Sequence, residues 1–205
     1  MICIIDYGVG NLFSLKSSFS YIGEDALVTS DRALIEKADK IVLPGVGAFA
    51  DAAEKLNESG LGETVLNEVK KGKILLGICL GMQLLLEKSY EFGEHSGLGL
   101  IKGDVTPISD VIPPRLKIPH IGWNRLRFKG EKSKIYKYIN DGDFVYFVHS
   151  YYASRCADYV SATTEYGAEL TASVENGNVF GCQFHPEKSG AVGLNILKAF
   201  CEMRS

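Results

Sequence analysis

The chain has 205 residues, with 22 Lys and Arg against 25 Asp and Glu, a formal net charge of -3, 46% hydrophobic residues and 23% charged ones. That length suits one globular domain, residues 1–205, with a substantial core, and the mildly acidic balance argues against nucleic acid or an anionic membrane surface as partner. Five cysteines without a C-x-x-C pair, and with no histidine at metal-ligand spacing, predict reduced thiols and no metal. Asp6 interrupts Met1–Ile5 too early for a signal core and no apolar run reaches span length, so the expectation is a cytoplasmic protein acting on a small ligand.

Ile2–Ile5 reads as a buried strand, followed by the loop Asp6-Tyr7-Gly8-Val9-Gly10-Asn11 and a helix from Asn11 to Ile22. The loop invites a nucleotide reading, but Phe13 stands where the third glycine of G-x-G-x-x-G belongs and no Walker lysine follows, so phosphate cradling is the weaker use. Lys40–Leu43 is the next strand and opens into Pro44-Gly45-Val46-Gly47-Ala48-Phe49. Two glycines there let the backbone approach a ligand and present N–H groups to an oxyanion; a plain tight turn is the alternative. A helix over Leu61–Lys71 and a strand over Lys73–Ile78 continue the alternation, which predicts parallel strands joined by crossover helices.

The strand Lys73–Ile78 runs into Gly77-Ile78-Cys79-Leu80-Gly81 and then an amphipathic helix, the pattern of a nucleophile elbow with cysteine at its apex. Glycines flank the bend because a Cβ on either side would clash, and a helix N-terminus favours a thiolate over a thiol. From about Leu98 the pattern changes to strand-like runs at Lys117–Phe128, Phe144–His149, Tyr159–Glu165, Glu169–Glu175 and Val179–Phe184, with exposed turns at Pro113-Pro114-Arg115 and Lys129–Lys132. These predict antiparallel strands layered beside the parallel sheet. The stretches Pro119–Asn124 and Phe147–Tyr152 are dense in aromatics and histidine, and His120 and His149 read as packing residues rather than metal ligands. A helix over Gly193–Met203 closes the chain, with Leu194, Leu197 and Cys201 on one face.

A nucleophile needs a base. In Phe184-His185-Pro186-Glu187-Lys188-Ser189, Pro186 stops the preceding strand, His185 sits at its end and Glu187 can turn back toward the imidazole. A carboxylate on one ring nitrogen fixes the tautomer and leaves the other nitrogen to take the thiol proton. The Leu80 N–H, following the elbow, is a second natural oxyanion donor.

Together the Cys79 elbow, the His185-Pro186-Glu187 segment and the Pro44-Gly45-Val46-Gly47 loop resemble class I, or triad, glutamine amidotransferases. Tyr7–Leu12, Gly77–Gln83, Pro119–Asn124 and Phe184–Ser189 look, more narrowly, like the glutaminase subunits of imidazole glycerol phosphate synthases, with matches from near the first residue to near the last. The resemblance implies a flavodoxin-like α/β fold, a central mostly parallel sheet flanked by helices with an additional antiparallel strand layer. It implies hydrolysis of glutamine without a cofactor, ammonia being channelled to a cyclase subunit, a (β/α)₈ barrel in a heterodimer, for histidine biosynthesis. Carried over by residue, Cys79, His185 and Glu187 are catalytic, Gly47, Gln83, Ser150 and Tyr151 bind glutamine, Val46 and Leu80 form the oxyanion hole, and Asn11, Trp123 and Lys188 lie near the cyclase. The alternatives are an ammonia donor to a sugar-modifying synthase, a free-standing cysteine hydrolase, and an interaction module with a vestigial site.

Overall fold

Runs such as Ile2-Cys3-Ile4-Ile5 and Ile74-Leu75-Leu76 are apolar at consecutive positions, so both faces of their strands must be covered. In the computed structural model, which describes residues 1–204, they are. The elements begin β1 Ile2–Ile5, α1 Leu12–Tyr21, β2 Ala26–Thr29, α2 Arg32–Lys37, β3 Lys40–Leu43, α3 Phe49–Glu58, α4 Leu61–Lys70, β4 Ile74–Ile78 and α5 Leu80–Gln83. There follow β5 Lys88–Ser89, β6 His95–Ser96, β7 Asp104–Pro107, β8 His120–Arg125, β9 Arg127–Phe128, β10 Phe144–His149, β11 Tyr151–Ser154, β12 Val160–Glu165, β13 Glu169–Asn176, β14 Val179–Cys182 and α6 Gly190–Glu202.

The central sheet has eight strands in the order β2-β1-β3-β4-β14-β13-β12-β9. β2, β1, β3, β4 and β14 are parallel, and β13, β12 and β9 extend the sheet in antiparallel fashion. Alternate residues feed two cores. Ile2, Ile4, Val42, Leu76 and Ile78 pack with Leu15 and Phe19 of α1 and Ile196, Leu197 and Phe200 of α6. Ile5, Ile41, Leu43 and Leu75 pack with Ile35 of α2, Phe49 and Leu56 of α3 and Val65 of α4.

The antiparallel strands are divided more finely than the sequence reading has it. Besides the extension of the central sheet, β8 pairs with β10 alone, and β11-β7-β5-β6 form a further small sheet. The run expected as one strand over Lys117–Phe128 breaks at Leu126, which is fully buried, and β8 and β9 join different sheets on either side of it. The helix after Cys79 is only four residues, all buried, rather than a longer amphipathic one. Its surroundings explain this: Leu84, Leu85 and Leu86 turn inward at once, and a Cβ on Gly97 would stand 2.1 Å from the Leu86 carbonyl oxygen, leaving no room for a continuing cylinder. In α6 the buried residues are Gly193, Ile196, Leu197, Ala199 and Phe200, whereas Leu194 and Cys201, expected beside Leu197 on the inner face, are half-buried.

Candidate active site

β4 ends at Ile78, and Cys79 follows with φ 55° and ψ -113°. A non-glycine residue held there stores on the order of 1–3 kcal/mol of backbone strain. Missing side chains make the turn possible: a Cβ on Gly77 would stand 2.7 Å from the Gly81 carbonyl oxygen, and one on Gly81 would stand 1.9 Å from that of Leu43. The Cys79 N–H donates to the Cys182 carbonyl at 2.7 Å, which ties the elbow to β14. Cys79 lines a cavity of about 270 Å³ at the carboxyl edge of the parallel strands.

β14 lies parallel beside β4, so the segment leaving it emerges on that same edge. The His185 N–H donates to the Tyr146 carbonyl at 2.9 Å. The Ser189 hydroxyl donates to the His185 carbonyl at 2.6 Å and accepts the Tyr146 N–H at 2.9 Å, so the backbone carrying the ring is clamped from both sides. His185 Nδ1 donates to Glu187 Oε1 at 2.8 Å, and both side chains are almost wholly buried. Burial alone would lower the His185 pKa, but hydrogen bonds and negative charge from Cys79 and Glu187 outweigh it and raise it to about 10. The ring therefore holds a proton readily, with its other nitrogen toward the sulfur.

The loop after β3 forms the opposite wall. The Tyr7 hydroxyl donates to the Pro44 carbonyl at 2.7 Å, and a Cβ on Gly45 would stand 2.8 Å from the Gly81 nitrogen, so this loop is pressed onto the elbow. Val46 and Gly47 reach the cavity beside Leu80, with Gly47 at φ 98°. Glu91 lines it too, its carboxylate accepting the Phe49 N–H at 2.5 Å at the start of α3.

The floor is a polar network. Tyr151 O accepts from Gln83 Nε2 at 3.1 Å and from His149 Nδ1 at 2.8 Å. A carbonyl only accepts, so His149 carries its proton on Nδ1 and its Nε2 accepts from His120 Nδ1 at 3.0 Å. His120 Nε2 then accepts from the Asn124 amide at 3.4 Å. Both rings are neutral: burial lowers His120 to about 4 and His149 to about 3.

A cysteine on a strained strand-to-helix turn, with a buried His–carboxylate pair beside it and the Val46-Gly47 loop lining the same cavity, has the parts for acyl transfer through a thioester. The family model for glutamine amidotransferase class-I matches residues 3–203. The chain is 51% identical over 204 residues to imidazole glycerol phosphate synthase subunit HisH of Caldanaerobacter subterraneus subsp. tengcongensis, covering 99% of this chain and 98% of that one. It is likewise 51% identical over 203 residues to the HisH subunit of Methanothermobacter thermautotrophicus, at 99% and 98% coverage. The chain belongs to the HisH-type class I glutamine amidotransferases. The fold agrees: PurLQS from Thermotoga maritima superposes with a TM-score of 0.73 at 21% identity, covering 98% of this chain and 96% of that one.

Within this HisH-type chain, the residues expected at the reaction centre come together. Cys79, His185, Val46, Gly47, Leu80, Gln83, Ser150 and Tyr151 line one cavity, with Glu187 behind His185. Asn11, Trp123 and Lys188 lie outside it. Phe13 and Ser14 of α1 line a groove together with Glu187 and Gly190, and a Cβ on Gly190 would stand 3.8 Å from the Trp123 ring. His120 and His149 do more than pack, since they order the cavity floor. Glu91, Ser189 and Gln183 went unread in the sequence as site residues. Gln183 had a visible cue, two positions before His185 on the same strand end; Glu91 had none, because it lies in the loop between β5 and β6, two-residue strands of the small β11-β7-β5-β6 sheet.

Proposed function

We propose that this chain is the glutaminase subunit of an imidazole glycerol phosphate synthase, acting as one unit over residues 1–205. The observation that carries the reading is the meeting of Cys79 with His185 in one cavity, His185 being bonded at 2.8 Å to Glu187 behind it. Glutamine enters with its α-ammonium toward the Glu91 carboxylate and its side-chain amide toward Cys79, held by Gly47, Gln83 and the Ser150-Tyr151 backbone. Cys79 Sγ attacks the amide carbon while His185 takes the thiol proton. The oxyanion meets the N–H groups of Val46 and Leu80, and losing one such donor costs about 10²-fold to 10³-fold in turnover. His185 returns the proton to departing ammonia, leaving a thioester. Water, deprotonated by His185, adds to the thioester carbon, and its collapse gives glutamate and restores the thiol.

The ammonia acceptor is a cyclase subunit with a (β/α)₈ barrel, forming a heterodimer over Asn11, Trp123 and Lys188. In support, β8 turns Ile121 and Trp123 outward, 57% and 55% exposed, while the polar His120 faces in, the reverse of what a strand facing only water would do. All five cysteines are free and no helix among the described residues is long and apolar enough to cross a membrane, in keeping with a reducing cytoplasm.

The test is glutamate release from glutamine by the purified chain, alone and with a cognate cyclase plus its nucleotide ligand. Strong ligand-dependent stimulation is expected, abolished in Cys79→Ala with partner binding retained. Full activity without any partner would favour a free-standing hydrolase, and undiminished activity in Cys79→Ala would sink the reading.

A further inference from the structure

We propose that Gln183 is a catalytic residue of this site: its side-chain N–H donates to the Cys79 sulfur and steadies it as a thiolate, in an orientation imposed by the Tyr151 backbone carbonyl. The inference rests on Cys79 being the nucleophile.

Gln183 is fully buried, and its Nε2 lies 3.8 Å from Cys79 Sγ, within reach for an N–H···S contact. A glutamine amide can face either way, and its direction must be read from its neighbours. Here the neighbours decide it. Tyr151 O accepts only, so Gln83 must turn its NH₂ group toward it, at 3.1 Å. The second N–H of that group meets Gln183 at 3.0 Å, so Gln183 has to present Oε1 there, and its own NH₂ group is left facing the sulfur. Flipping Gln183 would set NH₂ against NH₂ at one end and oxygen against sulfur at the other. His149 gives the Tyr151 carbonyl its second donor, at 2.8 Å, which removes the freedom of that peptide to swing away.

The donor keeps its proton throughout. When His185 takes the thiol proton, the Gln183 contact becomes a charge-assisted bond to S⁻, stronger than its neutral form. Attack on the amide carbon bonds the sulfur covalently and neutralises it in the first tetrahedral intermediate, which becomes the thioester as ammonia leaves, and the Gln183 bond weakens. When the second tetrahedral intermediate collapses, the C–S electron pair returns to sulfur and Gln183 meets the charge again before His185 delivers the proton. The titratable groups around Cys79 leave this effect readable: burial raises Tyr7 and Cys182, burial lowers His149 to about 3, and His185 with its partner Glu187 is the group that exchanges a proton with the sulfur.

The experiment is the pH dependence of iodoacetamide alkylation at Cys79, followed on its peptide by mass spectrometry, in the full chain and in Gln183→Glu and Gln183→Met. Thermal unfolding checks that each variant is folded. Gln183→Met should move the midpoint up by about one pH unit, an alkylation rate about tenfold lower on the acid limb, the size of a lost hydrogen bond to a charged group. Gln183→Glu keeps an oxygen for Gln83 but sets another against the sulfur, and should move it further. An unchanged midpoint in either folded variant overturns the proposal. A measurement on the unaltered side chain decides the matter should both variants unfold: the Gln183 amide proton resonances should shift as the sulfur titrates and stop doing so in Cys79→Ala, and a silent resonance overturns the proposal. Labelling of Cys79 by 6-diazo-5-oxonorleucine, which needs the glutamine site, checks the glutaminase reading separately, because neither iodoacetamide nor the resonance involves substrate.

Discussion

At Cys79 the demands of folding and of chemistry oppose each other. Its φ of 55° suits glycine, yet the proposed mechanism requires a side chain there to carry the sulfur into the cavity. Cys79→Ala and Cys79→Gly should both lose glutamine hydrolysis, but Cys79→Gly should melt about 2–4 °C above Cys79→Ala, since glycine relieves the strain that alanine retains. Equal melting points would mean that the elbow stores no strain. The meeting of Cys79, His185 and Glu187 was legible because each depends on local context: glycines flanking a thiol, a proline stopping a strand after a histidine, a carboxylate two residues on. The partners of Gln83 were not legible, since its amide meets the side chain at position 183, across 100 residues of sequence, and nothing in either stretch announces the other.

Among the elements, the tightest dependence is that of α5 on β3. A methyl group on Gly81 would stand 1.9 Å from the Leu43 carbonyl oxygen, far inside van der Waals contact, and backbone on both sides cannot yield as a flexible side chain would. Gly81→Ala is therefore expected to lower stability by about 3 kcal/mol or more and to slow alkylation of Cys79, measured by urea unfolding and by iodoacetamide uptake. Wild-type behaviour in both would show that the β3 loop and the elbow can part without cost. The parallel strands β1, β3 and β4 were readable from unbroken apolar runs. β2, α2 and α3 were not: β2 is an edge strand with mostly half-buried side chains, α2 spans six residues and relies on Asp31 accepting the Ala33 N–H at 2.8 Å, and α3 is mostly small or charged. β5, β6, β7 and β11 escaped as well, since strands of two to four residues carry too little alternation to stand out.

For the molecule as a whole, the buried neutral pair His120–His149 is expected to dominate the loss of stability between pH 7 and pH 5, above the range in which the carboxylates titrate. Both folded pKa values, about 4 and about 3, lie below the unfolded value near 6.5, so between these limits the unfolded chain binds more protons than the folded one. Their contribution is full above pH 6.5 and declines below it until it is lost as pH falls through about 4 for His120 and about 3 for His149. At pH 5 each should have cost about 2 kcal/mol relative to neutral pH. His185 has the opposite sign: raised to about 10, it favours the folded state below pH 6.5 and loses that effect as pH rises through 10. Urea midpoints at pH 7 and pH 5 should fall with acid in the parent and fall less in His120→Gln; equal losses in both would assign the acid sensitivity elsewhere.

The pairing of β4 with β14 has a kinetic meaning as well. Ile78 sits beside Cys182 in register, so the strand carrying the thiol and the strand leading to its base meet only after a loop of about 100 residues has closed. Such non-local pairings form late compared with local helices. While the chain is incomplete, Cys79 has no His185 beside it, and on the proposed mechanism a fragment ending before β14 would have no base with which to hydrolyse glutamine. On that mechanism the reaction waits for the native topology, a built-in safeguard against chemistry in half-folded chains.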